Sequence, residues 1–192
     1  YLTKLRRIAC HPWLEKEDAD PSLSGKMQHF MDIAEELAAT SRGVLVFSQF
    51  TDVLRMAGRI LEGLGQEYHY LDGSTTAAKR KKMAAEFQEG RHPFFLISLK
   101  AGGTALTLHR ADAVVHLDPW WNPMAERQAT DRAHRIGQTK GVMVYRLFSE
   151  GTVEEKVLAL QKDKRALFES LFGETINQTA EMSKEDLMGL LG

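Results

Sequence analysis

Cysteine is nearly missing from this chain, since Cys10 is the single cysteine in a sequence of 192 residues. One cysteine excludes an internal disulfide framework, and no group of Cys and His has the spacing of zinc ligands. This composition favours a reducing, intracellular setting. Apolar runs are also short. None approaches the roughly 20 residues of a membrane-spanning helix, so no membrane partner is expected.

An excess of either charge is lacking too, because 25 Lys and Arg nearly balance 26 Asp and Glu, for a net charge of -1. The chain as a whole has no electrostatic attraction to nucleic acid, so any such contact must come from a local patch. The first residues, Tyr1 to Arg7, include neither an initiator Met nor the apolar core of a signal peptide. We expect the sequence to be a piece of a longer protein.

Short apolar runs alternate with amphipathic stretches after Gly43, and such alternation predicts an α/β fold with a mainly parallel central sheet. Each predicted helix keeps its apolar residues on one face, as Leu54, Ala57 and Leu61 do. The predicted strands are Val44–Phe47, Glu67–Leu71, Phe94–Ser98, Ala113–Leu117 and Val142–Phe148.

Four segments follow from composition and helix signals. Residues 1–24 are a linker with a helix that Pro12 stops, and residues 25–150 form the α/β lobe. Residues 151–174 are a long amphipathic helix that opens with a capping box at Thr152 and Glu155. Residues 175–192 are a polar linker and a short amphipathic tail helix.

The segment after the fourth strand predicts a helix from Pro123 to Ile136, with Asn122 as its N-cap and Gly137 after its last turn. One face of this helix is polar instead of apolar, and it carries Gln128, Asp131, Arg132 and Arg135. Two guanidinium groups about one turn apart match a polyphosphate. The alternative is a solvated face on which Asp131 pairs with Arg135.

A complete phosphate-binding loop is not encoded. The fragment Ser24-Gly25-Lys26 is followed by Met27 instead of a hydroxyl residue and has no preceding strand, so we reject a Walker A loop. Asp118 ends a buried strand as the acid of a Walker B motif does. Without a partner loop, we interpret Asp118 as structural and predict no metal site in this chain.

Two segments together resemble a known motor family. The run Asp131-Arg-Ala-His-Arg-Ile-Gly-Gln138, preceded by Asp118-Pro-Trp-Trp-Asn-Pro123, resembles the last helicase motif of the Swi/Snf-type DNA translocases, a branch of helicase superfamily two. The stretch containing Ala101-Gly-Gly103 resembles the fifth motif of that family, although Ala105 and Thr107 stand where glycine and asparagine are usual.

The resemblance implies a three-layer RecA-like domain that is the second lobe of a DNA-dependent ATPase. Its arginines would contact the phosphates of ATP across a cleft, while Mg²⁺ would be held by an upstream N-terminal lobe of the same protein. The implied catalytic residues are Arg132, Arg135 and Gln128, and the implied nucleotide contacts are Gly102, Gly103, Asp131, Arg132 and Arg135.

The resemblance also implies double-stranded DNA as a partner, and a possible protein substrate on that DNA. The implied DNA contacts, mostly to phosphate, are Ser48, Gln49, Lys100, Thr104 and Trp121. Trp121 is expected to face the DNA and Trp120 to pack inward. The alternative is that both tryptophans lie in the core.

Two other functions stay open at this point. The chain is compatible with a non-catalytic lobe that binds nucleic acid or docks on a protein, its arginines holding DNA or an acidic partner. An independent nucleotide-binding enzyme is disfavoured, because we find no nucleophile, general-base pair or metal cluster in the sequence. Because both Walker motifs are missing, we predict that the 192-residue chain alone does not hydrolyse ATP.

Overall fold

The computed structural model of the chain describes residues 2–14, 24–101, 106, 108–133 and 141–172, without the side chains of residues 13 and 165–172. Within these ranges, five strands form one sheet in which every pairing is parallel and the order is β2-β3-β1-β4-β5. The predicted α/β RecA-like class is confirmed. The strands are β1 (Val44–Ser48), β2 (Tyr68–Leu71), β3 (Phe94–Ser98), β4 (Ala113–His116) and β5 (Met143–Arg146).

Helices cover both faces of this sheet and make the three layers. In the described ranges they are α1 (Leu2–Cys10), α2 (Gly25–Thr40), α3 (Thr51–Gly63), α4 (Ala77–Glu89), α5 (Pro123–Thr130) and α6 (Val153–Phe172), and a 3-10 turn lies at Pro12–Leu14. Val44 and Val46 point to a core shared with α2 and α3, whereas Leu45 and Phe47 point to a core shared with Phe87 of α4. The central strands are buried on both faces, which is why they read as unbroken apolar runs.

The starts of α2 and α4 follow their cap signals, whereas the start of α3 does not. Ser24 accepts a hydrogen bond from Met27 N at the start of α2, and Thr76 accepts one from Lys79 N at the start of α4. The start of α3 is different, because Phe50 is its N-cap residue and makes no side-chain cap bond. The Asp52 carboxylate accepts instead from Arg7, at 3.1 Å, and so ties α1 to α3.

The face of α1 that packs inward is not its apolar face. Arg6 and Cys10 are buried, while Leu5 and Ile8 remain 40% and 39% exposed. Leu5 and Ile8 line a groove of about 1060 Å³ together with Phe148, which is 44% exposed. Helical spacing of apolar residues therefore predicts the helix correctly but does not show which side is buried.

A buried ion pair joins α2 to the start of α6. Lys26 Nζ lies 2.5 Å from Glu154 Oε2, and their side chains are 2% and 1% exposed. The same carboxylate accepts from Ser149 N at 2.8 Å. The start of α6 differs from the predicted capping box, because the Thr152 hydroxyl accepts from Glu154 N at 3.2 Å while Glu155 N donates to the Thr152 carbonyl.

Gly43 immediately precedes β1 and lies close to a buried aromatic ring. A Cβ atom at this position would lie 2.7 Å from the ring of Phe87, which is completely buried. Gly43→Ala should therefore lower the free energy of unfolding by about 1–3 kcal/mol through overpacking. Denaturant unfolding followed by far-UV circular dichroism measures this change.

Gly63→Ala is the matched control, because a Cβ atom at Gly63 meets nothing within 4 Å and the residue ends α3. This substitution should stabilise the chain by up to about 1 kcal/mol. Equal effects at the two positions would contradict the packing assigned to Gly43.

Candidate functional site

Three strands deliver polar residues to one edge of the sheet. Ser48 ends β1, Ser98 ends β3 in register with it, and Asp118 lies two residues beyond the end of β4. Because all strands are parallel, these ends meet at the carboxyl edge, where ligands approach open α/β sheets. The exposed side chain of Lys100 lies two residues beyond Ser98 at the same edge.

Asp118 is the centre of this edge. Its carboxylate, 1% exposed, accepts from the Ser48 hydroxyl and from Gln49 Nε2, the latter at 2.6 Å. Gln49 N donates to it as well, at 3.3 Å. Burial raises the pKa of Asp118, while these donors and the nearby Arg6 act against that rise. These contacts fit the structural interpretation of Asp118, which stays a prediction.

The same bonds turn two predicted DNA contacts inward. Ser48 is completely buried, and Gln49 is 6% exposed. Their side-chain donors are directed at Asp118, so the side chains shape the end of β1 instead of projecting from it. Contact of Ser48 and Gln49 with DNA stays a prediction.

Arg6 joins α1 to the carboxyl edge of the sheet. Its Nη2 donates to the carbonyl of Pro119 at 2.6 Å, and its guanidinium lies 5.8 Å from the centre of the Phe50 ring. Burial lowers the pKa of Arg6, and the Asp118 carboxylate partly opposes this. Arg6 therefore contacts the segment after β1, at Phe50, and the segment after β4, at Pro119.

The helix after the tryptophans is shorter than predicted. Asn122 caps it through a bond from Met124 N, as expected, but α5 ends at Thr130 and Asp131–Ala133 form a turn. The Thr130 hydroxyl bonds back to the carbonyl of Glu126, a contact that weakens and bends helix ends. The predicted helix therefore ends at Thr130 instead of running on to Ile136, and Arg132 lies in a turn; residues 134–136 lie outside the described ranges.

Arg132 lies in that turn and faces the protein. The Arg132 carbonyl accepts from Leu108 N at 3.1 Å, which joins the turn to the segment after β3. Its Nε and Nη1 atoms are buried and have no hydrogen-bond partner among the described residues. Burial lowers the pKa of the Arg132 guanidinium, because the charged form loses its solvation. Two donors of a half-buried cation are therefore unsatisfied within the described ranges.

The other predicted residues of this segment are more exposed than Arg132. Gln128 and Asp131 are exposed, whereas Arg132 is half-buried, and the contact of all three with nucleotide stays a prediction. Four further predicted site residues lie outside the described ranges: Gly102, Gly103, Thr104 and Arg135.

Trp120 and Trp121 stack on one another, with ring centres 6.3 Å apart and an interplanar angle of 26°. Both are half-buried, so the alternative in which both belong to the core is wrong. The Nζ atom of Lys164, on α6, lies 5.1 Å from the ring centre of Trp121. Contact of Trp121 with DNA stays a prediction.

Sequence patterns missed several residues that hold the site. Arg80, on α4, donates to the carbonyl of Ala101 at 3.0 Å and to that of Thr75 at 2.8 Å, so it fixes the start of the glycine segment. Gln161 and Glu126 link α6 to α5. These contacts join residues far apart in sequence, so no local sequence pattern predicts them.

His116 supports α5 from within the sheet. Its ring stacks on Phe47, and its Nε2 lies 3.1 Å from the Thr130 hydroxyl. Its Nδ1 is buried without a partner among the described residues. Burial lowers the pKa of His116 to about 4, because a charged imidazole would be desolvated there.

Neither a metal centre nor a membrane span is found in the described part of the chain. No three His, Cys, Asp or Glu side chains there are grouped as ligands for a metal ion. None of the helices described is long and apolar enough to span a bilayer.

The sequence of the chain is similar to that of helicase C-terminal domains. The family model described as helicase conserved C-terminal domain matches residues 25–137. The Arabidopsis thaliana protein CHROMATIN REMODELING 24 is 42% identical over 170 residues, which are 88% of this chain. The chain spans only 16% of the length of that relative.

The solved structures that resemble the chain include SWI2/SNF2 ATPases. The C-terminal domain of the Sulfolobus solfataricus SWI2/SNF2 ATPase is 32% identical, with a TM-score of 0.70, over 98% of this chain and 78% of that one. The core of a Sulfolobus solfataricus SWI2/SNF2 ATPase in complex with dsDNA is 34% identical, with a TM-score of 0.75, over 100% of this chain and 39% of that one. The chain therefore belongs to the helicase C-terminal domain family, as a C-terminal lobe of the SWI2/SNF2 type.

The lowered pKa of His116 makes the stability of the lobe depend on pH. The unfolded state binds a proton on this histidine near pH 6.5, and the folded state does so near pH 4. The contribution of His116 is therefore complete above pH 6.5 and is lost as the pH falls to 4, by about 3 kcal/mol in total.

His116→Gln should remove this loss while keeping a partner for Thr130. The measurement is the free energy of unfolding at pH 7 and at pH 4.5, and the difference between the two should shrink in the variant. The same substitution at His29, which is exposed on α2, should leave the difference unchanged. An unchanged pH dependence in His116→Gln would contradict the assignment.

Proposed function

We propose that this chain is the second motor lobe of an ATP-driven translocase on double-stranded DNA, and that Arg132 and Arg135 act on the phosphates of ATP held by another lobe. The observation that carries the proposal is the Arg132 guanidinium, whose Nε and Nη1 are buried without an acceptor among the described residues. A purely structural arginine at this depth would have a carboxylate or carbonyl partner.

Phosphate oxygens are the acceptors that fit this cation. A guanidinium stabilises the negative charge that develops on a transferred phosphoryl group, and it acts most strongly where water is excluded. The other parts of phosphoryl transfer, a phosphate loop with its lysine and a magnesium site, are not encoded in this sequence. The proposal therefore assigns ATP and Mg²⁺ binding mainly to an N-terminal lobe of the same longer protein.

Double-stranded DNA is the second proposed partner. The Sulfolobus core with which this chain aligns over its full length was solved with dsDNA. On this chain, Lys100 is exposed at the carboxyl edge, and the half-buried Trp121 lies on the loop after Asp118. Ser48, Gln49 and Thr104 complete the proposed set, whose contacts would be mostly to phosphate and sensitive to salt.

The proposed role of Arg132 predicts opposite effects on turnover and on stability. In the complete motor, Arg132→Met should lower DNA-stimulated ATP turnover by about 10³-fold or more. It should preserve or raise the unfolding temperature of the lobe, because a buried cation without a partner is replaced by an apolar side chain of similar length. Steady-state ATPase assays and calorimetry measure the two quantities.

Arg127→Met is the matched control, since Arg127 is an exposed arginine on α5. It should leave turnover within about twofold of the wild type, as most exposed substitutions do. A fully active Arg132→Met motor would overturn the proposal. A strongly destabilised Arg132→Met lobe would instead assign Arg132 to the fold.

The isolated 192-residue chain provides a separate test. Without the Walker motifs it should not hydrolyse ATP above background, with or without DNA. Release of inorganic phosphate measures this, with the complete motor as the positive control. Hydrolysis by the isolated chain would refute a half-site, and an inactive complete protein would favour the non-catalytic docking lobe.

A further inference from the structure

The amide side chain of Gln161 joins α6 to α5. Gln161 Nε2 donates to Glu126 Oε2 at 2.7 Å and also to the carbonyl of Trp120. Glu126 lies in the first turn of α5, and Trp120 begins the turn that leads into it. One side chain therefore bonds both the tryptophan turn and the helix that follows.

The carboxylate that receives this bond is buried. Glu126 is 3% exposed, and its second oxygen accepts from Arg146 Nε, on β5, at 2.8 Å. A carboxylate at this depth needs donors on both oxygens, because water does not reach it easily. Loss of Gln161 would leave Oε2 without the donor described here and would let the first turn of α5 move.

Movement at this end would be transmitted to Arg132. The helix α5 has 8 residues, so it behaves as a rigid rod of about 12 Å. Its other end is attached to the sheet through Thr130 and His116, and the turn beyond it through Arg132 and Leu108. The position of Arg132 therefore depends on an attachment at each end of α5.

A second contact of α6 reinforces the first. Lys164 lies one turn after Gln161, and its ammonium group is placed over Trp121. The helix thus holds the Trp120–Trp121 turn at its backbone and at its outer ring, on the side where DNA is proposed to bind.

We infer that Gln161 is a positioning residue of the proposed motor, which holds the tryptophan turn and the first turn of α5 in the one arrangement that places Arg132 at the nucleotide. The inference rests on the proposed function. It assigns α6 a role in aligning the active arginine, in addition to packing against the lobe.

The first test compares two alanine variants of the complete motor. Gln161→Ala should lower the DNA-stimulated kcat by about 10- to 100-fold with little change in KM for ATP. Lys162→Ala changes the neighbouring exposed residue of α6 and should leave kcat unchanged. Gln161→Lys should restore most of the activity, because its ammonium group supplies donors to Glu126 and to the Trp120 carbonyl.

The second test asks whether Gln161 acts through Arg132. In an Arg132→Ala background, the added Gln161→Ala substitution should have no further effect on single-turnover hydrolysis, because residues that act as a unit are not additive. A residue that merely stabilises the fold would slow both backgrounds by the same factor. All assays are run well below the unfolding temperature measured for each variant.

The outcomes separate this inference from the proposed function. If Arg132→Ala is inactive and Gln161→Ala matches Lys162→Ala, the positioning role is overturned while the motor assignment stands. Equal slowing by Gln161→Ala in both backgrounds also overturns it. If Arg132→Ala is fully active, the proposed function fails, and the positioning role fails with it.

Discussion

A single buried carboxylate, that of Asp118, holds together the edge of the sheet at which the proposed chemistry takes place. It accepts from Ser48 and Gln49 after β1, and it lies beside Arg6 of α1. Desolvating a carboxylate is costly, and the cost is offset only when its donors are fixed in place. The ends of β1 and β4 and the turn after Pro119 are therefore fixed relative to one another before any ligand binds.

Most other polar residues of the site use the same principle, and Arg132 does not. Asp118, Glu126 and Glu154 are buried carboxylates whose oxygens meet side-chain donors. Arg132 is a half-buried cation with no acceptor for Nε and Nη1 among the described residues. Arg6 Nε and His116 Nδ1 are also buried without a partner in the described part of the chain, but only Arg132 has two such donors there, and the proposed contact with phosphate would satisfy them.

The sequence predicts the α/β class and the five strands because buried parallel strands are written as local apolar runs, as Phe94–Ser98 is. Prediction from the sequence fails where a contact between residues distant in sequence determines the length of a helix or the side of it that is buried. The sequence pattern extends the α5 helix beyond Thr130, whereas the structure has a turn there whose Arg132 carbonyl accepts from Leu108 N, in the segment after β3. Likewise, the inward position of Arg6 on α1 depends on Pro119, which is 113 residues away in sequence.

The order of the strands has a consequence for synthesis of the protein on the ribosome. The strand β1 is the first to be made and lies in the middle of the sheet, where Val44 pairs with Phe94 on one side and with Ala113 on the other. The strands that pair with β1 are therefore translated after it. Until then its apolar side chains and strand edges are exposed, and such surface is prone to aggregation during folding. In a nascent chain that ends before β4, the edge of β1 that later pairs with β4 is unpaired. Slow translation between β1 and β4 would prolong this exposure, and a chaperone would be needed most during that interval.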